Sequence, residues 1–326
     1  FADLTLSKSQ LPYVITGTLI NNSDHPIEVT FTVKPSIIGC GGGIPVSTTI
    51  KVNPAPRIEV TAVSDTLCNE ETSVFTITTP TTLTSGEVLF DYTVDDVSGD
   101  ETVISGYTEQ SGVILPGAGP AIFSQKLTNH TNDVQWVRFR LHPYASNTGA
   151  ATDCDHGSLL DTLIVLTVEP TPRVTGIISD TVICNNTEIN YSLATSTNPI
   201  YGVRFDVHVI NPHPEVTGVN NITGLEDMDI ISETPSNSDD SPKMIMYIIT
   251  PYTITSEGYY KCAGINDTMK LWINPTPEVI PVNVKPICSG GLTDINLITP
   301  TEMTSGIINF DFFTSNTGDI VGDTID

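Results

Sequence analysis

Positive charge is scarce in this sequence. Its 326 residues hold 13 Lys and Arg against 38 Asp and Glu, and the formal net charge is −25. Binding to nucleic acid requires clustered cations that displace counterions from phosphate, and binding to anionic lipid requires a similar basic patch. The sequence has no such cluster, so we expect neither nucleic acid nor an anionic membrane surface as a partner.

Long apolar runs and helix-forming residues are also few. No hydrophobic stretch approaches the roughly 18 residues expected of a membrane-spanning helix, so we expect no membrane insertion by this segment. Thr, Ser, Val and Ile outnumber Ala, Lys, Glu, Gln and Arg. Since β-branched residues favour a pleated sheet over a helix, and no run shows a period near 3.6, the composition predicts an all-β protein.

Motifs for catalysis and metal binding are missing as well. The six His are scattered, and neither Gly-x-Ser-x-Gly nor His-Glu-x-x-His occurs. We therefore predict that the chain is not an enzyme and needs no cofactor. Acidic pairs such as Asp95-Asp96 and Asp239-Asp240 lack the spacing of a calcium-binding loop, so we expect calcium to bind at most weakly.

Internal repetition is the strongest signal that the sequence does contain. Three junctions share an apolar residue followed by x-Pro-x-Pro, at Val52–Pro56, Val168–Pro172 and Ile273–Pro277. Their first prolines, at positions 54, 170 and 275, lie 116 and 105 residues apart. A recurring block at this period indicates tandem copies of one structural unit.

Blocks on both sides of the junctions recur in the same order. Upstream, a polar turn leads into a strand that ends in proline, at Leu19–Pro35, Leu127–Pro143 and Pro235–Pro251. Downstream, Thr-Ser-Gly is followed by an aromatic-Asp-aromatic block, at Thr84–Tyr92 and Thr304–Phe312. Chance similarity between β-rich sequences does not explain a shared order at nearly constant spacing.

The repeats divide the chain into four predicted domains. Residues 1–53 form the C-terminal part of one repeat, 54–169 and 170–274 are complete repeats, and 275–326 form the N-terminal part of another. About seven short strands alternating with turns in each repeat predict an immunoglobulin-like or PKD-like β-sandwich. Phe1 already reads as mid-domain sequence, so we expect this chain to be an internal piece of a longer protein.

The Pro-x-Pro junctions predict how the repeats are connected. Proline fixes its own φ and biases the preceding residue toward extended conformations. A junction of a few such residues is a stiff spacer. We therefore expect the sandwiches to be arranged end to end as a rod.

Six cysteines follow the same period. They fall at two repeat-equivalent positions: Cys40, Cys154 and Cys262 after the penultimate predicted strand, and Cys68, Cys184 and Cys288 after the first. An even number at regular spacing, without Cys-x-x-Cys, predicts disulfides and an oxidising compartment rather than a metal site.

The disulfide pairing remains open among 15 connectivities. The loops that hold the two cysteines of one sandwich lie at opposite ends, which disfavours Cys68–Cys154 and Cys184–Cys262, because a disulfide spans only about 4.4–6.8 Å between Cα atoms. Pairing across one linker, Cys40–Cys68, requires the chain to double back. The remaining geometry favours an interdomain bond, Cys68–Cys262, with the other four half-cystines paired outside this chain. Intradomain and same-junction pairing stay as alternatives.

Several blocks resemble a known type of repeat. Leu127-Thr128-Asn129, Leu271-Trp272-Ile273, Asn274-Pro275-Thr276-Pro277 and Ile287-Cys288-Ser289-Gly290 resemble the PKD-like and Ig-like repeats of giant Bacteroidota adhesins, including the SprB-like gliding-motility family. The resemblance extends along the whole chain, although residues 183–186 read Ile-Cys-Asn-Asn instead of Ile-Cys-Ser-Gly. It implies type IX secretion, an extracellular location at the bacterial cell surface, and a stalk or filament role in adhesion or gliding motility.

The same resemblance implies O-glycosylation. Proteins of this group are often modified where Asp-Thr or Asp-Ser precedes an apolar residue. The five matching hydroxyls are those of Thr66, Thr162, Thr181, Thr268 and Thr324. A modified residue must be exposed, so we expect these threonines to lie in accessible loops.

Two other functions remain compatible with the sequence. The chain could be a binding module whose loops recognise glycans or a partner protein, or a subunit of a self-assembling extracellular fibre. The expected partners are therefore neighbouring repeats of the same chain, surface glycans or other adhesin chains. The ligand, the anchor and the number of repeats cannot be read from this sequence.

Overall fold

The computed structural model describes residues 7, 12–62, 64–115, 119–146, 160–175, 181–282, 285–313, 315 and 318. All named elements in these residues are β-strands, which confirms the all-β prediction. The contacts divide the chain into two units, Phe1–Pro170 and Thr171–Asp326. The further division of these units at residues 54 and 275 stays a prediction from the repeats.

The described residues of the first unit form fourteen strands. They are β1 (Ile27–Val33), β2 (Ser36–Ile37), β3 (Gly41–Gly42), β4 (Val46–Val52), β5 (Glu59–Ala62), β6 (Thr66–Leu67), β7 (Phe75–Thr78), β8 (Glu87–Val97), β9 (Ile104–Ser105), β10 (Gln110–Ile114), β11 (Ala121–Phe123), β12 (Thr128–Asn129), β13 (Gln135–Ser146) and β14 (Thr162–Val168).

Two of the sheets in this unit enclose its hydrophobic core. One has five strands in the order β10-β8-β13-β14-β6, and the other has the order β11-β7-β5. Phe123 of the smaller sheet packs edge-on against Phe139 of the larger, with 5.1 Å between ring centroids. Both side chains are at most 1% exposed. The two-layer arrangement is that of a β-sandwich.

The longest strand of the first unit, β13, shows why the sequence folds this way. Its residues alternate between buried and half-buried positions along the whole strand, as the two-residue period of a strand requires. Phe139 and Leu141 are fully buried, and Trp136, Arg138 and Arg140 share the opposite face. Both arginines of this strand therefore lie on the face away from the core.

The described residues of the second unit form twelve strands. They are β15 (Thr181–Ile183), β16 (Ile189–Ser192), β17 (Val203–Ile210), β18 (Val216–Thr217), β19 (Ile222–Glu226), β20 (Ile230–Glu233), β21 (Ser236–Asn237), β22 (Lys243–Ile254), β23 (Tyr260–Ala263), β24 (Asp267–Ile273), β25 (Ile280–Val282) and β26 (Asn296–Ile298).

The second unit repeats the topology of the first. Its main sheet has the order β15-β24-β22-β17-β19, with β23 added beside β22. In each unit a short strand pairs in parallel with the last strand of the sandwich, β6 with β14 and β15 with β24. Phe205, Tyr247 and Leu271 are fully buried in the second core. The two sandwiches are tandem copies of one immunoglobulin-like fold.

One glycine position is also repeated, and its backbone requires glycine. Gly106 has φ +89° and Gly218 has φ +78°, in the left-handed region that favours glycine. A Cβ at Gly106 would lie 2.4 Å from the carbonyl oxygen of Lys126, and one at Gly218 would lie 2.4 Å from that of Thr234. The turn therefore needs glycine for both its backbone angle and its close contact.

Candidate functional site at the repeat junctions

A buried asparagine holds the end of the strand that leads into each of the three junctions. The three residues, Asn21, Asn129 and Asn237, are 9%, 4% and 1% exposed. Their Nδ2 atoms donate to the carbonyl oxygens of the first junction residues, Val52 (2.8 Å), Val168 (3.1 Å) and Ile273 (2.9 Å). The same atoms also donate to the carbonyls of His25, Asp133 and Ser241. These hydrogen bonds, which we call the asparagine clasp, fix the chain at the point where it enters each junction.

The second residue of a junction forms hydrogen bonds with the segment that follows the junction. Asn53 Oδ1 accepts hydrogen bonds from the N–H and the Oγ1 of Thr84, at 3.0 and 2.9 Å. Asn274 Oδ1 accepts from the N–H of Thr304 at 3.0 Å. Glu169 occupies the same position at the middle junction and is fully buried. The Thr-Ser-Gly block found in the sequence therefore supplies the partner of the junction asparagine.

A Thr-x-Thr pair clamps the residue that follows the second junction proline. The clamped residues are Arg57, Arg173 and Glu278. Each carbonyl accepts a hydrogen bond from the first threonine, from Thr79 (2.6 Å), Thr195 (2.7 Å) and Thr299 (2.6 Å). Each N–H donates to the second, to Thr81 (3.0 Å), Thr197 (3.2 Å) and Thr301 (2.9 Å). These bonds fix the chain where it leaves the junction.

Direct contacts also bridge two of the junctions. In the first unit, the Asp24 carbonyl accepts hydrogen bonds from the N–H of Thr82 at 2.8 Å and its hydroxyl at 3.2 Å, and the Asp24 carboxylate pairs with Arg57. In the second unit, the N–H of Glu302 donates to the Asp240 carbonyl at 2.8 Å. The chain segments on the two sides of each of these junctions are therefore in direct contact.

The Thr-x-Thr clamp was missed by sequence reasoning, although a signal was present. The three Thr-x-Thr pairs begin 23, 23 and 22 residues after the second prolines at 56, 172 and 277. Thr is so common in this chain that the pairs do not stand out. Their constant offset from the junction is the property that would have identified them.

Three of the cysteines occupy one repeated turn. In each turn the N–H of the third following residue donates to the cysteine carbonyl, from Glu71 to Cys68 (3.1 Å), Thr187 to Cys184 (3.2 Å) and Gly291 to Cys288 (2.8 Å). The second following residue is left-handed each time, in Glu70, Asn186 and Gly290. The structure thus supports the equivalence of these three positions.

The redox states of the described cysteines differ. Cys68 and Cys262 are disulfide-bonded, whereas Cys40, Cys184 and Cys288 are free and exposed. Cys154 lies outside the described residues. The Cys68–Cys262 pairing stays a prediction, as does the pairing of the other four cysteines outside this chain.

The predicted glycosylation sites lie mainly in strands rather than loops. Thr66, Thr162 and Thr181 are half-buried in β6, β14 and β15, and Thr268 is exposed in β24. Thr324 lies outside the described residues. The expected loop positions are therefore wrong for the four described threonines, and their glycosylation stays a prediction.

A charged network on the outer face of β13 was also missed. Asp95 receives hydrogen bonds from Arg140 and from Arg138, the latter at 2.6 Å, and these bonds hold the pKa of Asp95 below its usual value. Asp161, whose side chain is 5% exposed, pairs with Arg140 at 2.9 Å and His142 at 2.7 Å. Each carboxylate is paired with at least one arginine of β13. The network therefore connects β8, β13 and the residue directly before β14.

Burial and pairing act in opposite directions on Asp161. Burial alone would raise its pKa, but the hydrogen bonds from His142 and Arg140 outweigh it, and the pKa lies below its usual value. The Asp161-Thr162-Leu163 triplet therefore has a structural role through its aspartate. The paired residues of this network are about 20 to 45 positions apart in the sequence. A local sequence pattern therefore does not reveal that they are in contact.

Neither a metal site nor a membrane-crossing helix is found in the part of the chain that the structure describes. No three His, Cys, Asp or Glu side chains there are grouped so that they could hold an ion. Those residues contain no helix that is long and apolar enough to span a bilayer. The two acidic pairs of the sequence contact basic side chains: Asp96 forms an ion pair with Arg138, and Asp239 forms one with Lys243.

The repeated sandwich and its junction have a counterpart among known families. Residues 181–277 match the model of a PKD-like domain. The PKD-like segment runs from β15 to the second proline of the last junction. The matched residues therefore include β15, which pairs in parallel with β24, the asparagine clasp of Asn237, and the Pro-x-Pro sequence of the last junction.

Solved structures with immunoglobulin-like domains are similar to the chain at low identity. The I-band fragment I67–I69 of titin is 12% identical, with 68% of this chain and 66% of that fragment covered and a TM-score of 0.33. The Yersinia pseudotuberculosis adhesin InvE is 13% identical, with 67% and 58% covered and a TM-score of 0.22. The calcium binding domain CBD12 of CALX1.1 is 9% identical, with 66% and 99% covered and a TM-score of 0.27. No curated protein sequence matches the chain.

Proposed function

We propose that this chain is a stalk segment of an exported extracellular adhesin, in which tandem sandwiches keep a distant tip away from its anchor. The observation that carries the proposal is the repetition of the junction contacts. The asparagine clasp and the Thr-x-Thr clamp occur three times, and they immobilise residues that a flexible linker would leave free. A spacer under tension needs such junctions, whereas a catalytic domain does not.

The sequence resemblance makes the proposal more specific. It places the stalk in the giant adhesins of Bacteroidota, exported by the type IX system and used in adhesion or gliding motility at the bacterial cell surface. The disulfide-bonded state of Cys68 and Cys262 supports an oxidising, extracellular compartment. O-glycans on Thr66, Thr162, Thr181, Thr268 and Thr324 belong to the same proposal.

The stalk is proposed to be reinforced by a disulfide between consecutive repeats, Cys68–Cys262. Two contacts within the second unit support this pairing. Asn185, next to Cys184, donates to Thr276 of the following junction at 2.8 Å. Ile265, three residues after Cys262, donates its N–H to Pro172 of the preceding junction at 3.0 Å. Because Cys68 is equivalent to Cys184, both partners of the proposed bond belong beside the same junction.

Such a bond changes the path that tension takes. It bypasses the 193 residues between Cys68 and Cys262. From Cys262, the backbone needs only 26 residues to reach Cys288, which is the equivalent cysteine of the next repeat. Covalent bonds would then carry tension past the folded cores, and the stalk would resist stretching even if a sandwich opened.

Single-molecule stretching of the 326-residue chain from its two ends tests both parts of the proposal. In the oxidised chain we expect no release of the residues between Cys68 and Cys262. After reduction we expect two steps of whole-repeat size, with no earlier steps from the junctions, and an added length on the order of 650 Å for these 193 residues at about 3.4 Å each.

Cysteine variants separate the disulfide from the stalk. Cys262→Ser is expected to behave like the reduced chain, and Cys184→Ser, which removes a free thiol, is the matched control and is expected to leave the trace unchanged. Full extension of the oxidised chain would refute the pairing. Early release of short lengths at low force would show flexible junctions and refute the stalk.

A further inference from the structure

The outer face of the main sheet in the second sandwich carries a stacked pair of tyrosines. Tyr247 and Ile249 of β22 are buried in the core, so Thr250 and Tyr252, at alternate positions, lie on the outer face. The ring of Tyr252 stacks on that of Tyr260 in β23, with 4.6 Å between ring centroids and an interplanar angle of 5°. Tyr260 therefore lies on the outer face as well.

The hydroxyl of Tyr260 is fixed by an aspartate of β17. It donates a hydrogen bond to Oδ1 of Asp206, and the N–H of Gly224 in β19 donates to the same oxygen at 3.0 Å. Burial, together with the hydrogen bond to Asp206, raises the pKa of Tyr260 to about 12. The hydroxyl therefore remains protonated at neutral pH and keeps donating, which holds the ring in one orientation.

One face of the Tyr260 ring is open to solvent. Tyr252 covers the other face and Asp206 binds the hydroxyl, yet Tyr260 is 43% exposed. The exposed area therefore includes the second face of the ring, which carries the negative side of the π-system. Among the described residues, no hydrogen-bond donor and no cation is bound to Oδ2 of Asp206, since both bonds to this carboxylate reach Oδ1.

The first sandwich has the same aspartate beside a nitrogen-bearing ring of its own. Asp91, the counterpart of Asp206, accepts a hydrogen bond from the N–H of Gly112 at 2.7 Å. His142 lies beside Asp91 in the sheet, and its imidazole stacks on Tyr144 with 6.3 Å between ring centroids. A planar nitrogen group thus occupies the aromatic surface next to this aspartate.

The second sandwich lacks the nitrogen groups that its counterpart has on this face. Thr250 lies beside Asp206, at the position of His142. Counted from the clasp asparagines, Arg138 and Arg140 of β13 correspond to Met246 and Ile248 of β22. The second sandwich therefore keeps the carboxylate and the tyrosine rings but replaces all three nitrogen groups with uncharged side chains.

The remaining arginine of this face is already paired. Arg204 lies beside Tyr252 in the sheet and forms an ion pair with Glu226. On the first sandwich, by contrast, the guanidinium of Arg138 lies over the ring of Trp136, at 5.9 Å from its centroid. An arginine on an aromatic ring is thus a contact that this outer face already makes, with a group from its own chain, in the other repeat.

We propose that Tyr260 and Asp206 bind an arginine side chain of a partner protein. The planar guanidinium stacks on the open face of Tyr260, and its N–H groups donate to Oδ2 of Asp206. Arginine suits both contacts, because its guanidinium is attracted to aromatic faces and presents several donors in one plane. We call this pair of residues the arginine site.

The charge of the chain favours a basic partner. A formal net charge of −25 attracts a basic segment and raises its rate of association, and it repels acidic proteins and acidic glycans. A neutral sugar also fits an aromatic face, but it gains nothing from the charge of Asp206 or of the chain. The proposal does not depend on the stalk role, because binding a partner and resisting tension are separate properties.

Titration of the isotope-labelled full chain with N-acetyl-arginine amide, followed by NMR, tests the arginine site. The reporting signals are the amide of Gly224, which donates to Asp206, and the ring of Tyr260. We expect both signals to shift until the site is saturated, and we expect the affinity to fall with added salt, which screens the attraction between charges.

Two other small molecules separate charge from shape. N-acetyl-citrulline amide has nearly the same shape as the arginine probe but a neutral urea group, and it is expected to cause no shift. Equal shifts with both probes would refute a site for a cation. Shifts with methyl glucoside but not with the arginine probe would identify a sugar site and overturn the proposal, as would the absence of any shift with the arginine probe.

Substitutions assign the binding to the two residues. Tyr260→Leu removes the ring but keeps an apolar side chain, and it is expected to weaken binding about two- to fivefold. Asp206→Asn keeps an oxygen that can accept the N–H of Gly224 but removes the charge. It is expected to abolish the preference for the arginine probe over the citrulline probe.

Tyr259→Ala is the matched control. Tyr259 is 72% exposed and lies directly before Tyr260, outside the stacked pair, so its loss is expected to leave binding unchanged. Unshifted amide signals of the buried Tyr247 and Leu271 show that each variant is folded. Binding that survives Tyr260→Leu at full strength but is lost in Tyr259→Ala would overturn the proposal.

Discussion

Asp161 illustrates how single residues hold this fold together. Its carboxylate is almost fully buried, and a charge in that position requires compensation by hydrogen bonds. Arg140 and His142 provide it across neighbouring strands. The same logic applies to Asn237, which is 1% exposed and satisfies two carbonyls and one N–H at once. Long-range polar contacts, rather than the apolar core alone, position the strand ends.

The depressed pKa of Asp161 makes a prediction about pH. A carboxyl whose folded pKa is below its unfolded value of about 3.9 stabilises the fold above that pH, and this stabilisation is lost as the pH falls through the folded pKa. Asp161→Asn is expected to lower the free energy of unfolding of the first sandwich by about 1.5–3 kcal/mol at pH 7. The difference from the original chain should shrink toward pH 3.

Urea unfolding at pH 7 and pH 3 measures this difference. Glu101→Gln, at an exposed position, is the control and should change stability little at either pH. A loss of the same size at both pH values would mean that Asp161 acts through its shape rather than its charge.

At the scale of elements, the repeated glycine turn links a short two-stranded sheet to the main sheet of its sandwich. Gly218 follows β18, and its φ of +78° turns the chain toward β19. The close approach of the Thr234 carbonyl leaves no room for a side chain. Strand order in each sandwich therefore depends on a position that carries no side chain.

Two substitutions separate the backbone angle from the close contact. In Gly218→Ala, the alanine has a left-handed φ and its Cβ lies 2.4 Å from the Thr234 carbonyl oxygen. In Gly258→Ala, the alanine has a φ of +81° and its Cβ has no atom within 4 Å. We expect about 1 kcal/mol of destabilisation for Gly258→Ala, and clearly more for Gly218→Ala. Thermal or urea unfolding of the two variants gives the comparison, and equal losses would contradict the role of the Thr234 contact.

Most of the strands could be predicted from the sequence, but much of the junction could not. The alternation along β13 is a local property, so the pattern itself indicates which residues are buried. The parallel pairing of β6 with β14 joins residues about 100 positions apart, and no local pattern encodes it. The cysteine positions and the Pro-x-Pro blocks were visible because they repeat, while the Thr-x-Thr clamp was hidden by the abundance of threonine.

At the scale of the whole molecule, the chain contains two sandwiches with separate cores. The first core centres on Phe123, whose ring lies 5.7 Å from Phe75, 4.9 Å from Tyr92 and 5.1 Å from Phe139. The buried residues of the second core lie between 183 and 273. Each sandwich therefore has the hydrophobic contacts needed for its own cooperative unfolding.

A core substitution tests this independence. Phe123→Ala is expected to destabilise the first sandwich by about 3–5 kcal/mol and to leave the unfolding of the second unchanged. Calorimetry of the variant should then show one transition moved to lower temperature and one in place. Hydrogen exchange of β22 amides provides a second measure, and their loss of protection in Phe123→Ala would contradict separate cores.

The parallel pairing of the first strand with the last strand determines how each sandwich responds to tension applied at its ends. In the second sandwich, Thr181, Val182 and Ile183 of β15 lie beside Leu271, Trp272 and Ile273 of β24. When no disulfide bypasses this sandwich, as after reduction, tension enters ahead of β15 and leaves beyond β24, so it slides the two strands lengthwise in opposite directions. The bonds between them are loaded in shear and must fail together, whereas an antiparallel pair pulled from one end would unzip one bond at a time.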